Sequence, residues 1–341
     1  MPILLDNLQI PPADGLALED VMAIYEALRP AMPEMPKSQS ESRSAGRLLD
    51  ILDRFDGLLL DGYGVINVGD CLIDGIAALL NAAQQQAKPV IVLTNGGSFA
   101  AARAWQKYHG WNLPIAQMAV VSSRDALVAG ISQSLGAISG PSETTPKMLS
   151  TGPRIGCFGA NIEPLTVADI PDSQLLVYGR DDDFWTRAEA FVFLGAIGWQ
   201  DKDQAAFEAA MLANPRPLHV ANPDVAAPQE GMFSAEPGYW TARMMQQAAR
   251  RSVPVDVTWY GKPYQPAFDL AAARMTDIAG KIIDNSRLAM VGDSLHTDIL
   301  GGGAAGMKTV LMTGHGLFRQ ISAAPICDAC QIYPDWIVET P

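Results

Sequence analysis

Short apolar runs and amphipathic stretches alternate along most of this 341-residue chain. Apolar runs of strand length end near residues 60, 93, 291 and 312. Between them, apolar side chains recur at helical spacing, as they do over 75–87. Because buried strands that alternate with helices are typical of parallel sheets, the pattern predicts an α/β fold with a doubly wound parallel sheet.

The same alternation continues with shorter strands from about 100 to 256, which predicts a second α/β unit inserted into the first. A stretch punctuated by Pro and Gly, 222–238, is predicted to be a long loop, and loops of that length are often functional. The predicted strands of the insert are 155–158, 175–178, 191–194 and 218–221. Its predicted helices include 203–212 and 239–250.

The residues before the first apolar run have a separate organisation. Helical spacing predicts a helix over 16–29, and the Ser-rich stretch 37–46 is predicted to be a linker or surface loop. A short helix is expected over 47–54. The predicted division is an N-terminal extension and linker (1–46), the first part of the core (47–99), the inserted domain (100–256) and the second part of the core (257–341).

Four apolar strands of the predicted core stop at polar side chains. If these strands are parallel neighbours, their carboxyl ends meet at one edge of the sheet, where ligands bind in open α/β sheets. Several carboxylates in one pocket repel each other, so they call for a hard divalent cation, and Mg²⁺ suits a few carboxylates together with phosphate oxygens. The polar groups at these ends are Asp61, Thr94 with Asn95, Lys262, and Asp293 with Asp298.

Composition excludes several partners. The chain has 37 acidic and 24 basic residues, a net charge of −13, so its surface repels nucleic acid backbones. No apolar run reaches membrane-spanning length and no signal peptide is visible, so we expect a cytoplasmic protein without a membrane partner. Homo-oligomerisation stays open.

Cysteine and histidine do not change this picture. The four cysteines do not form a disulfide framework, and Cys327 with Cys330 is interpreted as a coincidental C-x-x-C. The four histidines lack metal-ligand spacing, so zinc is not expected, and His296 is predicted to be a solvated loop residue.

The order of the strand-end motifs resembles the haloacid dehalogenase superfamily. The matching stretches are Asp-x-x-Gly-Val from Asp61, Thr94-Asn95, Gly-Lys-Pro around Lys262, and Gly-Asp-x-x-x-Thr-Asp over 292–298. The large insert between the second and third stretches, and the loop containing Asn222-Pro223-Asp224, resemble class IIA, the p-nitrophenylphosphatase or NagD-like group. The resemblance covers about 50–341 and implies a Rossmann-like core, an α/β cap over the pocket, and Mg²⁺-dependent hydrolysis of a small phosphorylated metabolite.

The resemblance also implies a role for each motif residue. Asp61 would be the nucleophile that forms an aspartyl-phosphate, and Lys262 would neutralise charge on it and on the phosphate. The implied phosphate and substrate contacts are Thr94, Asn95, Gly96, Asn222 and Asp224. The implied Mg²⁺ site comprises Asp61, the backbone carbonyl of Tyr63, Asp293 and, in support, Asp298. The 222–238 loop should point towards Asp61.

Tyr63 departs from the family's pattern. The phosphatases of the family carry a second aspartate at this position as the general acid–base, and a phenol is a poor base near pH 7. The 2-haloacid dehalogenases carry Asp-x-Tyr-Gly here, so C–halogen hydrolysis is one alternative. A phosphometabolite-binding protein that has lost turnover is another. Because Asp293 and Asp298 are both present, the metal-dependent phosphatase is favoured.

Overall fold

The computed structural model describes residues 5, 8–36, 42–138, 153–167, 170–229 and 232–341. Its strands are β1 Arg43–Arg47, β2 Gly57–Leu60, β3 Asn67–Val68, β4 Cys71–Leu72, β5 Val90–Thr94, β6 Val120–Ser122, β7 Ile155–Phe158, β8 Leu175–Val177, β9 Ala190–Phe193, β10 Leu218–Val220, β11 Ala226–Pro228, β12 Phe233–Ala235, β13 Val257–Trp259, β14 Leu288–Gly292, β15 Lys308–Met312 and β16 Trp336–Thr340. Its helices are α1 Leu18–Leu28, α2 Ile76–Gln85, α3 Ala101–Gly110, α4 Ser123–Ile138, α5 Phe184–Arg187, α6 Asp201–Ala213, α7 Pro237–Arg250, α8 Gln265–Ala279, α9 Leu300–Ala304 and α10 Ala324–Cys330. None of the helices in these ranges is long and apolar enough to cross a membrane.

The core is a seven-stranded sheet in the order β1-β16-β15-β14-β2-β5-β6. Every pairing in it is parallel. Strands β2 and β14 are buried along their whole length, as expected for central strands covered on both faces. The predicted parallel α/β core is thus confirmed, and β14, β2 and β5 are direct neighbours whose carboxyl ends meet.

The inserted domain is built on a second parallel sheet, in the order β13-β10-β9-β7-β8. A hairpin of β11 and β12 follows β10, and a second small hairpin, β3 with β4, follows β2. We call the first the cap hairpin and the second the flap hairpin. The prediction of a loop over 222–238 was therefore wrong in part, because the middle of this segment forms the cap hairpin.

Two strands lie in the opposite sheet from the one that the sequence suggested. β6 falls within 100–256 but pairs with β5 of the core, and β13 falls within 257–341 but pairs with β10 of the cap. The predicted boundaries after 99 and after 256 therefore do not coincide with the division between the sheets. Lys262 follows a cap strand, and the expectation that it follows a core strand is wrong.

Two local predictions also need correction. Residues 43–46 were predicted to belong to a linker or surface loop, but Arg43–Arg47 forms edge strand β1, which pairs with β16. Residues 37–41 lie outside the described part. Serine is a preferred helix N-cap, which predicts Ser98 as the cap of the helix after β5. However, α3 begins at Ala101, and the Ala100 N–H donates to the Glu163 carboxylate at 2.9 Å. The same preference offers Ser122 or Ser123 as the cap of the following helix. Ser122 caps α4, because its hydroxyl accepts from the Asp125 N–H at 3.3 Å.

The two parallel sheets face each other with their carboxyl edges. A side chain at Gly97, beyond the end of β5, would lie 2.3 Å from the Leu194 carbonyl oxygen and 2.9 Å from the Ala221 Cβ, both just beyond cap strands. Glycine permits this close approach of the two backbones. Groups that follow cap strands consequently arrive at the pocket formed by core strand ends.

The N-terminal extension packs on both domains. The Tyr25 hydroxyl accepts from the Val225 N–H of the cap at 3.1 Å, while its ring stacks on His296 of the core at 4.8 Å. Gln246 of α7 donates to the carbonyl oxygens of Leu5 and Leu8 at 2.7 and 2.6 Å. Helix α1 agrees with the predicted 16–29, and it lies between cap and core.

Candidate active site

Lys262 lies at the centre of a buried carboxylate cluster. Its ammonium nitrogen is 2.7 Å from Asp61 Oδ1 and 2.6 Å from Asp298 Oδ1. One carboxylate oxygen each from Asp61, Asp293 and Asp298 lies within 4.8 Å of the others. The predicted convergence of the strand-end groups is therefore present in the fold.

Each of these side chains is held by a particular backbone element. Asp61 follows β2, and its Oδ1 also accepts from the Gly62 N–H at 2.7 Å, which leaves Oδ2 directed elsewhere. Asp293 follows β14. Asp298 lies in a single turn of π-helix, Leu295–Ile299, which returns its Oδ2 to the Ser294 N–H at 3.1 Å. Such wide turns are often found at functional sites.

Electrostatics favours a cation at this cluster. Burial, together with the charges of Asp61 and Asp298, raises the pKa of Asp293 well above its ordinary value. Burial also raises the pKa of Asp298, although Lys262 opposes the shift. Burial alone would lower the pKa of Lys262, but Asp298 and Asp61 outweigh it and hold the ammonium charged. One lysine faces three carboxylates, so a divalent cation would relieve the remaining repulsion.

The pocket wall around Asp293 is made of backbone. Its Oδ2 accepts from the Leu317 N–H at 2.9 Å. A side chain at Gly64 would lie 2.4 Å from the same oxygen, and Gly64 has φ of 74°, a conformation that favours glycine. The second glycine of the Asp61 motif is thus required both by its dihedral angle and by the closeness of Asp293.

Thr94 and Asn95, at the end of β5, have different roles. Asn95 is used inside the protein: Oδ1 accepts from the Lys262 N–H at 2.7 Å, and Nδ2 donates to the Lys262 carbonyl and to Asp224 Oδ1 at 3.0 and 2.8 Å. Both amide protons are occupied, so a phosphate contact from Asn95 would have to come from its backbone. The Thr94 hydroxyl accepts from the exposed Gly96 N–H at 3.2 Å and keeps its own proton to donate.

The loop after β10 reaches the pocket, as predicted for the beginning of 222–238. Asn222 Oδ1 accepts from the Asp224 N–H at 2.9 Å, which fixes the turn and presents Asp224 to Asn95. Burial raises the pKa of Asp224 to about 8, against the opposing effects of Lys262 and Asn95. Asp224 is therefore largely neutral at pH 7 in the absence of a bound cation.

Tyr63 extends away from the carboxylates towards the rim. Its hydroxyl lies close to Gln229 of the cap and to Gly69 of the flap hairpin turn, and its ring centroid lies 5.7 Å from the Lys107 ammonium. Burial raises the pKa of the phenol further. Tyr63 is consequently a weaker acid than a free tyrosine.

Several residues near the pocket carry no signal in the sequence. The Tyr108 hydroxyl would lie 2.7 Å from a side chain at Gly62, and Lys107 stands among the rings of Tyr63, Tyr108 and Trp111. Both are on α3, where helical spacing alone suggests only packing. The prediction for His296 was wrong: it is fully buried under Tyr25, with Nε2 2.6 Å from the Glu26 carboxylate. All four cysteines are free thiols.

Glu236, near the end of the 222–238 segment, should make the free energy of unfolding depend on pH. Burial raises its pKa from 4.5 to about 7. The folded chain therefore binds this proton more tightly than the unfolded chain between those values, and stability falls as pH rises through that window. Glu236→Gln is expected to remove a loss on the order of 1–3 kcal/mol between pH 5 and 8.

Urea unfolding of the native protein and of Glu236→Gln at pH 5 and pH 8 measures this effect. The exposed Glu34 supplies the control, because Glu34→Gln makes the same chemical change without burial. Parallel pH dependence in all three proteins would show that Glu236 is ionised in the folded state.

The fold and site define a capped α/β protein with a carboxylate–lysine centre where two parallel sheets meet. A family model described as haloacid dehalogenase-like hydrolase matches residues 58–143, and one described as HAD-hydrolase-like matches 259–338. These segments contain all four motifs. Both models describe haloacid dehalogenase-like hydrolases, which confirms the resemblance seen in the sequence.

Solved structures share the same architecture. A haloacid dehalogenase superfamily protein from Cytophaga hutchinsonii, described as a possible sugar phosphatase, is 20% identical with a TM-score of 0.65, covering 88% of this chain and 98% of that one. The p-nitrophenyl phosphatase of Archaeoglobus fulgidus is 17% identical with a TM-score of 0.60, covering 84% and 96%. A glycerol phosphate phosphatase of Mycobacterium tuberculosis in complex with calcium is 19% identical with a TM-score of 0.54, covering 78% and 68%. No curated protein sequence matches. At these identities the likeness shows a shared fold.

Proposed function

We propose that this protein is a metal-dependent phosphohydrolase that acts on a small phosphorylated metabolite in the cytoplasm. The observation that carries the proposal is Lys262 placed between Asp61 and Asp298, with Asp293 completing a buried cluster at the strand ends. The phosphatases among the solved structures of the same fold support it. Because the chain has a net charge of −13, we do not expect it to bind nucleic acid.

The nucleophile in this proposal is Asp61. Lys262 and the Gly62 N–H hold Oδ1, so Oδ2 attacks the phosphorus atom as the bond to the leaving-group oxygen breaks. The product is an aspartyl-phosphate, which water then hydrolyses to regenerate the carboxylate. Splitting the displacement into two steps in this way is covalent catalysis. The Thr94 hydroxyl donates to a phosphate oxygen, and Lys262 offsets the negative charge that gathers during transfer.

The residues present fit a Mg²⁺ ion. They offer hard oxygen ligands in a buried site whose carboxylates repel in its absence, and the calcium complex of the Mycobacterium tuberculosis relative supports a divalent cation. Asp61, Asp293 and the Tyr63 carbonyl would hold the ion. Asp298 has both oxygens engaged by Lys262 and Ser294, so it would act in support. When bound, Mg²⁺ would supply further charge stabilisation to the transferring phosphoryl group.

Tyr63 is compatible with C–halogen hydrolysis as an alternative reaction, because halide leaves a carbon atom without needing a proton. In that reaction Asp61 would attack carbon and no metal would be required. Release of halide from 2-chloropropionate in the presence of a chelator would favour it. The binding-protein alternative instead requires phosphate esters to stabilise the fold without any product being formed.

Metal removal tests the proposed function directly. EDTA is expected to lower phosphate release from 4-nitrophenyl phosphate by about 10²-fold or more, since one electrostatic stabiliser typically contributes that much, and Mg²⁺ should restore it. Mg²⁺ should also raise the melting temperature of the native protein, because it binds the folded carboxylates and not the unfolded chain.

Asp293→Asn is the matched variant for this test and should lose the Mg²⁺-dependent thermal shift along with activity. Turnover that persists unchanged in EDTA, or none on any phosphate ester with Mg²⁺ present, would contradict a metal-dependent phosphatase.

A further inference from the structure

A groove of about 650 Å³ opens beside the carboxylate cluster. Four segments form its walls: the flap hairpin, the cap hairpin, residues 16–19 of the N-terminal extension, and the loop 315–321 after β15. Volumes of this size are typical of small-molecule sites. One wall therefore comes from a part of the chain that lies outside the family resemblance.

Apolar side chains from each segment line the groove. Leu18, Leu72 and Phe233 contribute from three of the walls. Met232 of the cap hairpin and Ile321 of the loop also line it, and they are 59% and 45% exposed, unusually high for such large apolar side chains. Apolar side chains gathered around one groove and left in water indicate a ligand or partner surface.

The groove is joined to the reacting centre by direct contacts. Leu317, in its wall, donates its N–H to Asp293 Oδ2 at 2.9 Å. Gln229, on the cap side, lies close to the Tyr63 hydroxyl. Residues that line the groove thus contact residues of the carboxylate site.

Reaction geometry selects what would occupy the groove. In a phosphoryl transfer, the attacking and leaving oxygens lie roughly in line, on opposite sides of phosphorus. With Asp61 on the core as the attacking group, the leaving group extends towards the cap. The cap hairpin is the element that lines the groove on that side.

We propose that the groove binds the apolar leaving group of the substrate, so that the natural substrates are phosphate esters of aromatic-sized, apolar alcohols or phenols. This proposal rests on the proposed phosphatase function. It also agrees with the position of Tyr63, since an aryl oxide departs with less need of a proton than a sugar alkoxide does. Residues 16–19 would make the N-terminal extension part of the substrate site.

Two esters with similar leaving groups but different apolar area test the proposal. Native protein is expected to show a kcat/KM for 1-naphthyl phosphate about five- to tenfold above that for phenyl phosphate, through a lower KM, because the second ring buries additional apolar surface. Met232→Ser should reduce this ratio to about one. Met118→Ser is the matched control: Met118 is 46% exposed but lies elsewhere, so the ratio should remain at its native value.

The outcomes of this experiment distinguish the groove proposal from the proposed phosphatase function. Equal kcat/KM for the two esters in native protein, or an unchanged ratio in Met232→Ser, overturns the groove while leaving phosphatase activity intact. If neither ester is hydrolysed, the phosphatase function fails, and with it the leaving-group assignment. Binding of 1-naphthyl phosphate over phenyl phosphate, lost in Met232→Ser, would then support the groove as an apolar ligand site. Equal binding of the two esters would overturn that as well.

Discussion

Asp61→Asn is expected to lower phosphate release by at least about 10⁴-fold, a loss typical of removing the nucleophile of a covalent enzyme. The asparagine amide is a poor nucleophile. The substitution also removes one of the two carboxylates that hold the Lys262 ammonium. Phosphate release in single- and multiple-turnover assays measures the loss.

The variant should nevertheless stay folded. Asp61 contributes to the repulsion that raises the pKa of Asp293, so its neutralisation is expected to leave the melting temperature unchanged or higher. Asp70→Asn makes the same charge change at an exposed position on the flap and should retain activity. If Asp61→Asn kept more than roughly 1% of native turnover with a normal fold, another group would have to be the nucleophile.

Tyr63→Asp is expected to increase turnover of alkyl phosphates, by up to about 10²–10⁴-fold, the usual range for general acid–base catalysis. Tyr63 is two residues beyond Asp61, and its phenol has a raised pKa and is turned towards the flap and the cap. An aspartate there would supply a proton to leaving oxygens that depart poorly without one. Aryl phosphates should gain much less.

Tyr63→Asn and Tyr63→Phe complete this experiment. The asparagine variant matches aspartate in size but cannot donate an acidic proton, so it should not reproduce the gain. The phenylalanine variant removes only the hydroxyl. If alkyl and aryl phosphates react equally fast in native protein and Tyr63→Phe slows the alkyl esters, then the phenol already supplies the proton and the idea of a weakened acid–base is wrong.

The sequence was sufficient to predict the core because its signals are local. Asp61, Thr94 and Asp293 each terminate a buried apolar run, and β14, β2 and β5 proved to be neighbours. Parallel strands buried on both faces have distinctive continuous apolar sequences, and the carboxyl ends of neighbouring strands must meet.

Membership of a sheet was not predictable in the same way. The apolar run 257–260, before Lys262, looks like a core strand, and only the pairing of β13 with β10 shows that it belongs to the cap. β1, with the sequence Arg-Ser-Ala-Gly-Arg, is mostly exposed, as edge strands often are, and has no apolar alternation to detect. The use of Asn95 as a brace between Lys262 and Asp224 depends on contacts across more than 120 residues.

The position of Tyr25 also affects the order of folding during synthesis, because the ribosome produces its partners long after Tyr25 itself. Its bond to Val225 spans 200 residues, and the neighbouring contact from Glu26 to His296 spans 270. At about 5–20 residues per second, a ribosome needs roughly 10–50 s to produce those partners after the N-terminal segment has emerged. Contacts this distant in sequence form slowly and reward the chain only when both ends are present. This N-terminal segment is therefore among the last to reach its native position, and until it does, the groove lacks one wall and the cap lacks one of its contacts with the core.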